Sequence, residues 1–154
     1  MTNKRNFAIA GVLILAAVVY LIVTSTGTTA SFFLTIEELQ DMGADARDRN
    51  LTVSGAVIGE SIAYDAGEPR LTFTIVQIPG DIKEIEAQGG LAAVLASAVQ
   101  DPDAARLDIV YDGTRPDLLK DEAQAIVRGR LRDDGTFVAE ELLLKCPSRY
   151  AEEL

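Results

Sequence analysis

Histidine is absent from this 154-residue chain, and cysteine occurs once, at Cys146, in the closing stretch "LLLKCPSRYAEEL". A lone thiol can act as a nucleophile or a soft ligand once it ionises. Lys145 and Arg149 flank it, and nearby positive charge favours the thiolate. Tyr150 follows four residues later. Without histidine, a Ser-His-Asp or Cys-His arrangement and the usual zinc sites are excluded. Without a second cysteine there is no intrachain disulfide and no CxxC redox pair. Most hydrolase readings end with these absences.

Several elements must place Cys146. Leu142, Leu144 and Cys146 share parity along an apolar strand, so the thiol should project from the same face as two leucines. Pro147 then stops the strand from continuing. The thiol is thus expected at an accessible lip of an apolar surface, ahead of a tail spanning 146–154. Upstream, "AIVRGRLRDDGTFVAEELLLKC" reads as two strands joined by a "DDG" hairpin. "NLTVSGAVIG", "RLTFTIVQI" and "RLDIVYDG" each alternate at period 2, and "DAGEP" punctuates the first two as a turn. Thr35 precedes "IEELQ" as the N-cap of a short helix. Residues 79–105 are helical in composition, with Leu91, Val94, Leu95, Ala98 and Val99 on one face. Five or more short strands with one intervening helix, over residues 31–145, predict an all-β, small antiparallel barrel with a helical insertion at 79–105; an OB-fold-like barrel is the commonest candidate, though pattern alone does not separate it from an SH3-like one.

Residues 7–23, "FAIAGVLILAAVVYLIV", carry no charge and follow Lys4 and Arg5. At 1.5 Å per residue this is a short but sufficient span, extended by the uncharged residues after it. We expect a transmembrane signal anchor over 7–26, with residues 1–6 cytoplasmic and the domain outside the cytoplasm. A cleaved signal peptide is the competing reading, with the small Ala30 and Ser31 as the cleavage neighbourhood. All 24 acids lie beyond this segment, whereas two of the 14 bases precede it. So acidic a domain repels phosphate backbones and makes nucleic acid an unfavourable partner.

Five strings in order carry a resemblance. "SFFLTIEEL" comes first, then "LTVSGAVIGESI" with Val53, Gly55, Val57, Gly59 and Ser61, then "LTFTI". "YDGTRPDLL" follows, with Tyr111, Gly113, Pro116, Asp117 and Leu118, and "VAEELLLKCPSRY" closes the set. Together they resemble the cytochrome c maturation protein E (CcmE) haem chaperones, from the anchor through nearly the whole domain. The commonest form of that family has histidine where this chain has Cys146, and this sequence looks like the branch with C-x-x-x-Y. The helical stretch at 79–105 also departs from the family's short connection.

The resemblance implies a membrane-tethered OB-type barrel facing the periplasm, in the inner membrane with a single pass. It implies haem as cargo, received from haem delivery and haem lyase membrane proteins of the maturation system and passed to apocytochrome c. Cys146 would be the covalent attachment point and Tyr150 an axial ligand to the haem iron. A thiolate adds to an activated vinyl group, and a phenolate is a known haem ligand. Arg128, Arg130 and Arg132 alternate onto one strand face, where they could meet haem propionates or form a solvated edge that discourages sheet pairing.

Plainer readings compete. A single cysteine at a strand end can be core filler, and Tyr150 can cap the barrel. An OB-type binding module for oligonucleotide or oligosaccharide would want a basic groove with stacking rings, which nine aromatics in an acidic chain supply poorly. A thiol enzyme would need a partner's groups to complete its chemistry. A tethered structural domain could use Cys146 for an intermolecular disulfide.

Overall fold

A computed structural model describes residues 11–18, 20, 33–47 and 49–146. Residues 11–18 and 20 are helical, and among the described residues no helix is long and apolar enough to cross a membrane. The remainder of the segment expected as an anchor lies outside the described residues. The chain divides into two units, Met1–Phe32 and Phe33–Leu154.

The second unit is a barrel. Its strands are β1 (Leu51–Val57), β2 (Ala63–Asp65), β3 (Arg70–Val76), β4 (Arg106–Asp112), β5 (Gln124–Leu131) and β6 (Phe137–Lys145). The sheet runs β1-β5-β6-β4-β3-β2, and β1 also pairs with β3 through Ala56↔Val76 and Val57↔Ile75. That pairing closes five strands on themselves and leaves β2 as a short addition to the free part of β3. The result is a five-stranded Greek-key barrel of the OB type. One detail corrects the antiparallel expectation: β4 and β6 run parallel, Ile109↔Phe137 through Tyr111↔Ala139. Here β5 runs opposite to β4, so the antiparallel β5–β6 hairpin returns β6 in the direction of β4.

Period-2 alternation accounts for the interior. Val53 and Val57 of β1, Leu71, Phe73 and Ile75 of β3, Leu107 and Ile109 of β4, Ala125 and Val127 of β5, and Phe137 of β6 are all buried in one cluster. A helix, α1 (Ile36–Met42), adds Ile36 and Leu39 to it. Thr35 caps α1 as expected, and its side chain and that of Glu38 form a reciprocal capping box. The amides of Ile36 and Glu37 donate to Oε1 of Gln77, at 2.8 and 3.2 Å. All four orphan donors at this helix start, the amides of residues 35–38, therefore have partners within the chain.

The insertion forms two helices rather than one, α2 (Ile82–Ala87) and α3 (Leu91–Gln100). Gly89 and Gly90 between them have φ of 94° and 91°, a conformation that ends a helix and that side chains resist. Val94 and Leu95 of α3 pack with Ala56, Val76 and Ile78 in a second buried cluster. The insertion thus covers the outside of the β1–β3 closure. Arg128, Arg130 and Arg132 are exposed, but β5 lies between β1 and β6, so their strand is not a sheet edge and needs no protection from pairing.

Candidate functional site

The β5–β6 hairpin controls where the thiol goes. From Phe137 to Ala139 the inward residues of β6 are odd-numbered, and an uninterrupted strand would turn Leu142, Leu144 and Cys146 outward. A bulge reverses the phase. Arg128 pairs with Glu141 and Gly129 with Ala139, which leaves Glu140 unmatched. Gly129 is required there, because a Cβ would collide with the carbonyl of Val138. Glu140, turned outward, accepts a hydrogen bond from Asn50 at 3.1 Å and faces Arg130 at 3.6 Å. After the bulge, Leu142 and Leu144 pack against the interior cluster while Leu143 stays exposed.

Cys146 follows one residue beyond the last ladder pair, Gln124↔Lys145. It continues the inward phase and is buried, with 7% of its surface exposed. This corrects the expectation of an accessible lip: the thiol shares the leucines' side, but it is covered. Sγ lies 4.0 Å from the carbonyl oxygen of Leu118.

Leu118 belongs to the β4–β5 connection, which contains the Tyr111, Gly113, Pro116, Asp117 and Leu118 string. The fold therefore brings that string to the end of β6. The connection is pinned at several points. Leu119 is buried in the interior, its amide donates to the carbonyl of Pro116 at 3.1 Å, and Arg115 reaches the carbonyl of Leu119 at 3.4 Å. Asp121 accepts from the amide of Gly59 at 2.6 Å, and Glu122 N–H donates to the carbonyl of Val57 at 3.1 Å. The Tyr111 ring lies over Gly113 so closely that a Cβ there would meet it at 2.5 Å. Leu118 itself remains 47% exposed, an apolar side chain beside a covered thiol.

The other string is structural as well. Ser61 Oγ donates to the carbonyl of Ile58 at 2.6 Å and accepts from the amide of Thr74 at 2.8 Å, fastening the turn after β1.

Tyr150 lies outside the described residues. Arg130 and Arg132 line a cleft near the hairpin turn with Arg47 and Asp133. Arg47 pairs with Asp133 at 3.3 Å, and Arg130 sits six strand positions from Gln124, about 20 Å along the sheet from the Cys146 end. The arginines and the thiol do not form one site. Sequence reasoning missed the Leu118 carbonyl and Gln77, both placed by tertiary contacts rather than by local pattern.

The fold and site define a class: a small OB-type barrel whose last strand ends in a single thiol beneath the β4–β5 connection. The CcmE domain model matches residues 30–153, and the chain belongs to the CcmE family. It is 29% identical over 151 residues to the cytochrome c-type biogenesis protein CcmE of Brucella anthropi, covering 96% of this chain and 73% of the relative. The same figures hold for the protein of that name from Brucella ovis. Among solved structures, the OB-fold domain of haem chaperone CcmE from Desulfovibrio vulgaris is 20% identical, with a TM-score of 0.42, over 65% of this chain and 90% of that one.

Proposed function

We propose that this chain is a haem chaperone of c-type cytochrome biogenesis, a carrier rather than a catalyst, holding haem through Cys146 and passing it to apocytochrome c. The observation that carries the reading is the family match across residues 30–153. The relatives named for cytochrome c-type biogenesis align along nearly the whole chain. In the reading we favour, the apolar segment at 7–23 anchors the protein in the inner membrane, the domain faces the periplasm, and Tyr150 ligates the iron.

The bond chemistry is self-contained. The Cys146 sulfur forms a bond to one vinyl carbon, and the thiol proton passes to the other as the C=C double bond becomes single. No external oxidant or reductant is consumed, and elimination returns thiol and vinyl group. Covering the thiol suits a carrier that waits in an oxidising compartment, because exposed thiols there are readily oxidised. Loading needs the thiol to leave the Leu118 carbonyl. Cys146 lies beyond the last ladder pair, so this movement parts no strands.

The test is covalent haem content. The full-length protein and Cys146→Ser are produced in membranes with the maturation apparatus, and denaturing gels are stained for haem. A haem-bearing band in the wild type that is lost in Cys146→Ser is expected. A band of equal intensity in both would move the bond off Cys146. Absence of haem from the wild type while cytochrome c is still matured would overturn the carrier reading.

A further inference from the structure

The insertion builds something the bare barrel lacks. A cleft of about 240 Å³ runs along the outer face of the sheet, between the chain at Phe33–Thr35 on one side and Pro79, Ile82 and Ile85 on the other. Its floor includes Ile126 of β5, and Lys145, the residue before the thiol, lines it as well. Two of its apolar side chains are conspicuously uncovered: Ile82 is 72% exposed and Phe33 53%. An apolar first residue on a helix does not otherwise need to face water, and α2 uses only Ile85 against the second cluster.

Charge narrows the occupant. Among the described residues Lys145 is the only charged one lining the cleft, and it makes no ion pair with the others, in a chain with net charge −10. An apolar slot with one ammonium that has no ion pair among the described residues suits a flat apolar ring system bearing carboxylates. Enclosed ligands usually occupy about 300–1,000 Å³, so this cleft holds an edge of such a molecule and leaves the rest outside.

We propose that the insertion is a clamp for the cargo: α2 and Phe33 grip an apolar edge of haem on the outer face of the barrel, and Lys145 meets a propionate. This rests on the haem-carrier reading. Cys146, next to Lys145, would hold the macrocycle at its rim once the thiol has turned from Leu118. A grip on one edge leaves the opposite edge free for the acceptor, which transfer requires.

The experiment uses the full-length chain in detergent, in a Cys146→Ser background so that binding is non-covalent, titrated with ferric haem and followed by the Soret band. Ile82→Asp places a charge in the slot at an exposed position that folding does not depend on, and Lys145→Glu reverses the cation. Tyr64→Asp, on β2 and 38% exposed, serves as the charge-matched control. We expect Ile82→Asp to weaken binding about tenfold and Lys145→Glu about threefold, with Tyr64→Asp unchanged. Affinity unchanged by Ile82→Asp, or weakened equally by Tyr64→Asp, would sink the clamp. Haem-stained gels of the same substitutions with Cys146 restored separate the two ideas. Loading in every variant with unaltered affinities discards the clamp and keeps the carrier, whereas no loading even in the wild type discards both.

Discussion

Two hydrophobic clusters meet the same strands from opposite sides, and they differ in how they are built. The inner one fills the barrel with residues from five strands, α1 and the β4–β5 connection. The outer one uses Ala56 and Val76, the neighbours of Val57 and Ile75, together with Ile78 and two residues of α3. At the β1–β3 closure both faces of the strands are buried, so polar-apolar alternation fades there: Gly55, Ala56 and Val57 are consecutive and all buried. The inner cluster holds the fold, while the outer one attaches an accessory to it.

Substitutions at matched burial break this comparison open. Phe137 and Leu95 are both fully buried, one in each cluster. Phe137→Ala should cost about 4 kcal/mol, because closed walls on all sides cannot collapse onto the void. Leu95→Ala should cost about 2 kcal/mol, the low end for its type, because a helix packed on one side can settle inward. Urea unfolding of the full-length protein measures both. The sharper readout is hydrogen exchange: Phe137→Ala should expose the amides of every barrel strand, and Leu95→Ala mainly those of α3. Equal losses across the barrel in both variants would show one cooperative core instead of a core with an attachment.

Gln77 joins the regions. It follows β3, precedes Ile78 of the outer cluster, and its Oε1 accepts from two amides at the start of α1, whose Ile36 and Leu39 plug the inner one. Gln77→Ala strands those donors and should cost about 1.5 kcal/mol, against about 1 kcal/mol for Thr35→Ala, which removes a single capping bond. Thermal melts of the two single variants and the double test this. If the helix start behaves as one unit, the double variant should lose less than the two singles together.

The same contrast explains what the sequence made legible. Strands β1, β3, β4, β5 and β6 carry alternation against a single core, and Thr35 with Glu38 is a local signal, so these are readable without the fold. The split of the insertion had a signal in Gly89–Gly90, but helical composition on both sides masked it. Strand β2 is three exposed residues with no apolar face, so nothing marks it. The Arg128 to Arg132 row looked like an edge because strand neighbours are a tertiary property. At the site, the shared parity of Leu142, Leu144 and Cys146 was legible and correct, although the bulge that turns them inward was not. The contact between Cys146 and the Leu118 carbonyl spans 28 positions, and no local pattern announces it.

The smallest expected effect concerns the hairpin that sets the β6 register. Asp134 accepts from the amide of Thr136 at 2.9 Å, and this bond holds its carboxyl below the usual carboxylate range. A carboxylate with a depressed folded-state pKa stabilises the fold above its unfolded value and loses that contribution as pH falls through the folded one. The turn should therefore stay intact across neutral and mildly acidic pH and loosen only below the ordinary value of 3.8. Following the Thr136 amide by NMR during acid titration should give a midpoint under 3.8, and Asp134→Asn should remove that transition. Because the group is fully solvent-exposed, global unfolding should barely register the change. A midpoint at or above 3.8 would mean that the bond does not persist in solution, and that the bulge at Gly129 sets the register without help from the turn.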